Sequence, residues 1–132
     1  IRIYATDLDK QILEKAKVGL YAEKSLAGVP KDLKAKYFTK VGSSYRISDE
    51  IKKRVTFKQH NLIKDRYEMG YHLIVCRNVL IYFTEEAKDE VFTKYFKSLA
   101  PGGILFIGST EQIMNYKEIG YDRKSSFFYV KP

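Results

Sequence analysis

The segment that most constrains this chain is residues 71–83, YHLIVCRNVLIYF. Its continuous apolar run at residues 73–76 predicts a strand covered on both faces, as in a parallel sheet. The polar pair Arg77-Asn78 interrupts the apolar pattern where that strand ends. Because open α/β sheets bind ligands beyond the carboxyl ends of their strands, this pair either lines a ligand site or caps the next helix.

Strands and helices alternate along the rest of the chain, which predicts an α/β fold with a mostly parallel sheet. Asp9 is a suitable N-cap for a first helix, whose apolar side extends to Leu20. Thr84 suits the start of a long amphipathic helix with apolar residues every four positions up to Leu99. Pro30 suits the first turn of a short helix. The predicted strands of the main sheet are residues 1–5, 55–57, 73–76 and 104–107.

Two hairpins complete the predicted architecture. The turn Gly42-Ser43-Ser44, followed by alternating Tyr45 and Ile47, predicts a small β-hairpin within an inserted subdomain at about residues 39–57. Residues 118–121 and 127–130 are expected to pair as an antiparallel hairpin at the C-terminus. The whole of residues 1–132 is then one part of a single domain.

Polar residues follow three of the predicted strands, namely Asp7, Asn61 and the pair Arg77-Asn78. A carboxylate at a strand end can hold both hydroxyls of a ribose, although Asp7 could equally be a second capping carboxylate. Asn61 with Leu62 could bind an adenine edge and face, or form an ordinary turn. Because parallel strands present these ends on one rim, together they predict an adenosine-sized pocket. Residues 108–111, Gly-Ser-Thr-Glu, are a second candidate rim.

The composition narrows the classes of function. Net charge is +8, from 24 basic and 16 acidic residues. The lysines are scattered, which indicates a solvated surface but permits contact with nucleic acid, an anionic membrane or an acidic protein. The single cysteine, Cys76, cannot form an internal disulfide and suits a reducing cytoplasm as a core residue. His60 and His72 lack metal-ligand spacing, and no apolar run approaches the ~20 residues of a membrane span.

The run CRNVLIYF at residues 76–83 closely resembles the signature of the CheR-type chemotaxis receptor methyltransferases. The segments ATDLD at residues 5–9, Asn61-Leu62 and GSTE at residues 108–111 fall in the same order and at similar spacing as in that family. The turn Pro101-Gly102-Gly103 is similar to one common in methyltransferases that use S-adenosylmethionine (SAM). The resemblance covers essentially the whole chain.

The resemblance implies a cytoplasmic enzyme with a Rossmann-like sheet that transfers a methyl group from SAM to glutamates of chemoreceptors. By analogy with the matching positions in that family, Asp7 is expected to hold the ribose hydroxyls, and Asn61 and Leu62 are expected to contact the adenine. Arg77 and Asn78 line the cofactor site, and Tyr82 lies near the transferred methyl. The products are a γ-glutamyl methyl ester and S-adenosylhomocysteine.

The chain departs from the family pattern at three places. His72 replaces a residue that is usually acidic, and the hairpin at residues 42–47 is short, which suggests a member that does not bind a receptor tail peptide. The family's N-terminal helical domain and the first strand with its SAM-binding loop are absent. We therefore expect these 132 residues alone to be inactive, and their open sheet edges to promote self-association or rearrangement.

Three alternatives remain open from the sequence. A methyltransferase-like module could bind a receptor or another protein without catalysis. A basic nucleic-acid-binding domain is disfavoured by the scattered charge and by the lack of a recognised motif. A methyltransferase acting on RNA or DNA would share the sheet, but the Asn/Asp-Pro-Pro-aromatic motif of amino-methylating enzymes is absent.

Overall fold

The computed structural model describes residues 1–109 and 111–132 of the chain. These residues divide into two compact units, Ile1–Asn61 and Leu62–Pro132. Strands alternate with helices in both, as predicted for an α/β fold. The assignment of all 132 residues to one domain with an insertion stays a prediction.

The first unit is built on a parallel pair of strands. β1 (Ile3–Asp7) pairs with β5 (Val55–Gln59), and the register runs from Ile3 opposite Val55 to Asp7 opposite Gln59. The helix α1 (Lys10–Val18) follows β1, and Asp9 caps it by accepting a 2.8 Å hydrogen bond from the backbone N–H of Gln11. Both predicted strands and the predicted cap are therefore confirmed, with each strand extending two residues further along the chain than expected.

The first unit also contains a small three-stranded antiparallel sheet, where a simple hairpin was predicted. Its strands are β2 (Leu20–Ala22), β3 (Phe38–Val41) and β4 (Ser44–Ile47), in the order β2-β4-β3. The hairpin β3–β4 was predicted, whereas Leu20 was expected in the first helix. Gly19 ends that helix in the left-handed conformation (φ 71°), which is more favourable for glycine than for residues with a side chain. Leu20 therefore lies outside the helix and pairs with Arg46. The short helices α2 (Lys31–Tyr37) and α3 (Asp49–Lys52) flank β3 and β4.

The second unit is a four-stranded mixed sheet in the order β6-β7-β9-β8. The β6–β7 pair is parallel, while β9 pairs antiparallel with both β7 and β8. Its elements, in chain order, are β6 (Tyr71–Cys76), α4 (Glu85–Ser98), β7 (Leu99–Ile107), α5 (Tyr116–Ile119), β8 (Asp122–Ser125) and β9 (Phe128–Val130). Within the described part of the chain, β6 pairs only with β7 and β1 only with β5.

The core of the second unit lies on one face of this sheet, under α4. The helix begins after Thr84, whose hydroxyl accepts from the N–H of Ala87 at 3.1 Å, and its apolar side is buried as the four-residue spacing predicted. The buried cluster includes Val91, Phe92 and Tyr95 from the helix and Leu105, Ile107 and Tyr129 from the strands.

The prediction that β6 is covered on both faces is wrong for this structure. Ile74 and Cys76 point towards the core, but Leu73 and Val75 are 56% and 58% exposed. Side chains alternate between the two faces of a strand, and the core cluster that includes α4 covers only one of them.

The closing hairpin also differs from the prediction in its first strand. Residues 116–119 form the helix α5, and β8 begins only at Asp122. The apolar spacing that suggested a strand has another cause. Tyr116 and Ile119 lie one helical turn apart and pack on the core, while Tyr121 is 2% exposed and donates a 2.7 Å hydrogen bond to the Phe92 carbonyl.

Cys76 lies at the end of β6 and is 4% exposed, in agreement with its assignment to the core. Burial raises the pKa of its thiol to about 11; a hydrogen bond with Tyr95 opposes this shift and the Glu111 carboxylate adds to it. The thiolate, which is the reactive form of cysteine, is therefore suppressed near neutral pH.

The one-sided core predicts unequal costs for two leucine truncations. Leu105→Ala removes a fully buried side chain, and we expect a loss of about 2–5 kcal/mol in the free energy of unfolding. Leu73→Ala, on the exposed face of the neighbouring strand, is the matched control and should cost less than about 1 kcal/mol. Urea denaturation followed by circular dichroism measures both. Equal losses would contradict the assignment of the two faces.

The environment of Cys76 predicts low thiol reactivity in the folded chain. Ellman's reagent near neutral pH should label Cys76 slowly in the native state and completely after denaturation in guanidinium. Because folding raises this pKa, its contribution to stability is fully present below the ordinary thiol value of about 8.5. That contribution is lost as pH rises towards about 11. Rapid labelling of the native protein at neutral pH would show that the thiol is neither buried nor shifted.

Candidate cofactor-binding site

In the first unit, Asp7 lies at the carboxyl end of β1, opposite Gln59 of β5. Its Oδ1 accepts a 2.9 Å hydrogen bond from the N–H of Asp9, so the local turn holds one carboxylate oxygen. The Gln59 side chain donates to the Leu8 carbonyl at 2.9 Å, and the His60 N–H donates to the Asp7 carbonyl at 3.0 Å. The two strand ends are thus tied together, and the Asp7 carboxylate has a defined orientation.

Asn61 is half-buried and follows the end of β5 by two residues. It therefore lies at the same end of the parallel pair as Asp7, as the sequence predicted. One oxygen of the Asp7 carboxylate accepts a hydrogen bond within a local turn, and the carboxylate lies at the predicted strand tip. Its role in holding a ribose stays a prediction.

In the second unit, Arg77 and Asn78 form the turn that follows β6. Asn78 has a φ of 59°, and it is the single non-glycine residue with positive φ in the described ranges 1–109 and 111–132. Asparagine tolerates this left-handed conformation better than most residues because its short side chain can bond locally. The Arg77 guanidinium lies 5.0 Å from the ring centroid of Phe106, which stacks on Phe128.

The loop after β7 packs directly against this turn. Cys76 and Ile107 are paired in the parallel register, so Asn78 and Gly108 follow neighbouring strand ends. A Cβ on Gly108 would come within 2.8 Å of Asn78 Oδ1 and 3.1 Å of Asn78 N, which leaves room only for glycine. Glycine is therefore required at this position by close approach rather than by its own backbone angle.

Glu111 joins the two loops. It is 4% exposed, and its Oε1 accepts a 2.5 Å hydrogen bond from the backbone N–H of Asn78. The sequence placed Glu111 in a candidate rim but did not select it as a site residue. The available signal was a carboxylate three residues after a glycine at a strand end, which is weak by itself. Thr110, in the same predicted rim, lies outside the described residues.

Leu62 and Tyr82 occupy very different surroundings in the second unit. Leu62 is half-buried against the core, and its carbonyl accepts a 2.7 Å hydrogen bond from the Tyr67 hydroxyl. Tyr82 ends a single 3₁₀ turn, Leu80–Tyr82, in which Leu80 is fully buried and Tyr82 is 91% exposed. The turn is therefore anchored by Leu80 and presents the Tyr82 ring to solvent.

The structure brings the predicted residues together within each unit. In the first unit, Asp7 and Asn61 lie at the same end of the β1–β5 pair. In the second unit, Arg77 and Asn78 follow β6 and lie beside Glu111, which was not predicted as a site residue. The single rim formed by all three strand ends stays a prediction.

Two further features bear on the kind of site. Among residues 1–109 and 111–132, no group of three or more His, Cys, Asp or Glu side chains is arranged to hold a metal ion. In the same ranges, no helix combines the length and apolar character needed to cross a bilayer.

The chain matches the family model described as CheR methyltransferase, SAM binding domain, over residues 1–126. A chemotaxis protein methyltransferase from Listeria innocua is 43% identical over 129 residues, which are 98% of this chain and 49% of that protein. Chemotaxis protein methyltransferase 2 from Vibrio cholerae is 35% identical and aligns with 99% of this chain and 44% of its own length. The chain thus spans about half the length of the curated relatives it matches.

Solved structures support the fold. A TehB-like SAM-dependent methyltransferase from Corynebacterium glutamicum has a TM-score of 0.56 at 15% identity, over 98% of this chain and 65% of the other. The structure of a DhpI-SAM-HEP complex has a TM-score of 0.53 at 12% identity, over 99% of this chain and 52% of the other. The predicted Rossmann-like methyltransferase fold is therefore confirmed.

The residues present suit SAM, the cofactor that the family binds. An oriented carboxylate at a strand tip, Asp7, matches a ribose diol. The left-handed turn at Asn78 exposes polar side chains at a second strand end, and one oxygen of the buried Glu111 behind it has no hydrogen-bond partner in the described part of the chain. The match to the family model extends from Ile1 to residue 126 and so includes every predicted site residue. This chain belongs to the family of CheR methyltransferase SAM-binding domains.

Proposed function

We propose that this chain carries the adenosine-binding part of a SAM-dependent protein-glutamate O-methyltransferase that modifies methyl-accepting chemotaxis receptors. The observation that carries the proposal is the Arg77-Asn78 turn, set at the end of β6 and bonded to Glu111, within a chain that matches the CheR family over residues 1–126. The matched relatives named chemotaxis protein methyltransferases support the same assignment.

The first unit would hold the adenosine moiety. The Asp7 carboxylate accepts hydrogen bonds from the two ribose hydroxyls, and its orientation by the Asp9 N–H reduces the ordering cost of binding. The Asn61 amide donates to and accepts from the adenine edge. Leu62, the first residue of the second unit, packs on the face of the ring with a backbone anchored by Tyr67.

In the second unit, the other residues that we propose for cofactor binding and methyl transfer follow β6. Asn78 presents its amide from a left-handed turn, and Arg77 is held against Phe106 by a cation–π contact. Tyr82, with its exposed ring, would lie beside the transferred methyl and orient the incoming carboxylate. Each of these roles depends on where the side chain is placed.

The proposed reaction needs little acid–base assistance. Bound SAM supplies an electrophilic methyl group on a positively charged sulfur. A glutamate oxygen, ionised at neutral pH, forms the new C–O bond while the S–CH₃ bond breaks, and its electron pair remains on sulfur as neutral S-adenosylhomocysteine. The protein residues must therefore align the carboxylate in line with the methyl group and exclude water from it.

The substrate class follows from charge as well as from family. A net charge of +8 favours approach to an acidic protein segment, such as a receptor helix rich in glutamate. Receptor methylation places the reaction in the cytoplasm, which suits a chain with a single buried, reduced cysteine. The short hairpin β3–β4 suggests a member that does not use a receptor tail peptide.

Binding of S-adenosylhomocysteine tests the cofactor assignment. In calorimetry, the protein at its full natural length should bind, and Asp7→Ala should weaken binding about tenfold to hundredfold, because hydrogen bonds to a charged group contribute about 1.5–3 kcal/mol. The control Asp32→Ala, at an exposed position in α2, should bind normally. Residues 1–132 alone, which the sequence analysis expects to be inactive, are measured in the same way.

Each result has a distinct meaning. If full-length protein fails to bind, the cofactor assignment fails and a non-catalytic binding module becomes the better account. If it binds but does not esterify receptor glutamates, the cofactor assignment survives and the substrate assignment fails. If residues 1–132 bind alone as monomers, the expectation that they are inactive and self-associate is wrong.

Gly108→Ala tests the packing of the two loops. The added Cβ would displace the Asn78 amide, and we expect at least a tenfold loss of S-adenosylhomocysteine affinity in the full-length protein with little change in overall fold. Gly28→Ala is the matched control, because no heavy atom lies within 4 Å of its Cβ position. Equal affinities for both variants and the parent protein would show that the turn at Asn78 does not form part of the cofactor site.

A further inference from the structure

We propose that Glu111 is a positioning residue that holds the Arg77-Asn78 turn in its binding conformation from inside the protein. The proposal rests on the proposed cofactor role of that turn and adds a residue to it. Glu111 has a buried carboxylate side chain, 4% exposed, and follows β7, whereas the turn that it contacts follows β6. Its contact is with the backbone of Asn78, through a 2.5 Å hydrogen bond, and so does not depend on the side chain at position 78.

The turn needs such a restraint. The left-handed conformation of Asn78 is unfavourable for a residue with a Cβ, although less so for asparagine than for most, and it persists only where the surroundings hold it. Neighbouring strands alone do not provide the hold, because the register of β6 with β7 ends at Cys76 opposite Ile107. The Glu111 carboxylate restrains the chain two residues after Cys76, where it accepts a hydrogen bond from the N–H of Asn78.

The loop that carries Glu111 is itself braced. The Glu111 N–H donates to the Gly108 carbonyl at 3.1 Å, which ties Glu111 to the residue that follows β7. Gly108 packs so closely that a Cβ would lie 3.2 Å from Glu111 Oε1 as well as against Asn78. The carboxylate therefore sits between two loops that cannot separate without breaking its hydrogen bond or opening a void.

The second carboxylate oxygen, Oε2, is buried and has no hydrogen-bond partner among residues 1–109 and 111–132. Cys76 and Tyr95, both in the core cluster, are two titratable groups on which the Glu111 carboxylate acts. Leaving a buried carboxylate oxygen unpaired is costly, so stability alone does not favour glutamate here. A charged acceptor forms a shorter and stronger hydrogen bond to an N–H than a neutral acceptor does. A glutamate at this position therefore suits the role of holding the backbone amide of Asn78.

Substitutions at position 111 separate the hydrogen bond from the mere filling of space. Glu111→Gln keeps the Oε1 acceptor and the shape of the side chain, whereas Glu111→Ala removes the acceptor. In the protein at its full natural length, Glu111→Gln should bind S-adenosylhomocysteine within about threefold of the parent. Glu111→Ala should lose at least tenfold, the effect of about 1.4 kcal/mol or more. The matched controls Glu86→Gln and Glu86→Ala, at an exposed position in α4, should change nothing.

An NMR measurement without ligand tests the positioning directly. The Asn78 amide proton should resonate far downfield in the parent, less so in Glu111→Gln, and should lose the downfield shift in Glu111→Ala. Distant amide resonances should stay in place, which distinguishes a local change in the turn from general unfolding. If Glu111→Ala does not fold, Glu111→Gln still decides the question through its amide shift and its affinity.

A double substitution gives an independent check. Glycine adopts positive φ without strain, so Asn78→Gly should reduce the need for the restraint. If Glu111 acts by holding position 78, adding Glu111→Ala to Asn78→Gly should cost much less affinity than Glu111→Ala costs in the parent. Additive losses would overturn the positioning role, as would unchanged affinity in Glu111→Ala. Failure of the parent protein to bind would instead count against the proposed function.

Discussion

The parallel pairing of β6 with β7 is the constraint on which the second unit depends. It places the ends of the two strands, Cys76 and Ile107, side by side, so the loops that follow them must leave the sheet at the same edge. The crossover is made by α4, whose buried side chains, led by Val91 and Phe92, pack on one face of the sheet. Without that packing, two segments about thirty residues apart in sequence would have no reason to meet.

The strand pairing allows the turn at Asn78 to have an unusual backbone conformation that is stabilised by a buried hydrogen bond. Asn78 occupies the left-handed region, Gly108 admits it by having no Cβ, and Glu111 accepts its amide proton. Such an arrangement suits a reaction in which the substrate carboxylate is already ionised and the protein contributes geometry. Arg77, the exposed neighbour of Asn78 in this turn, lies against the ring of Phe106 in a cation–π contact.

Local patterns predicted those features that depend on neighbours in sequence. Capping by Asp9 and Thr84, the apolar stripe of α4 and the turn at Gly42 each need only a few adjacent residues, and all were found where expected. The predictions failed where the same local pattern fits two environments. The apolar run of β6 reads as doubly buried, yet Leu73 and Val75 are exposed because the described core covers one face. The spacing of Ile119 and Tyr121 fits a strand, but the buried Tyr121 hydroxyl bonds to Phe92 after the last turn of α5.

The sequence by itself determined the family and the α/β alternation, and it predicted the candidate cofactor residues, because all of these depend on short motifs defined by residue type and spacing. Only the tertiary structure decided which faces are covered, that Leu20 forms a third strand in the small sheet, and that Glu111 reaches Asn78. The physical reason is that burial, and a hydrogen bond between residues 33 positions apart, depend on how the strands pair. A local sequence pattern does not indicate which distant residues come into contact.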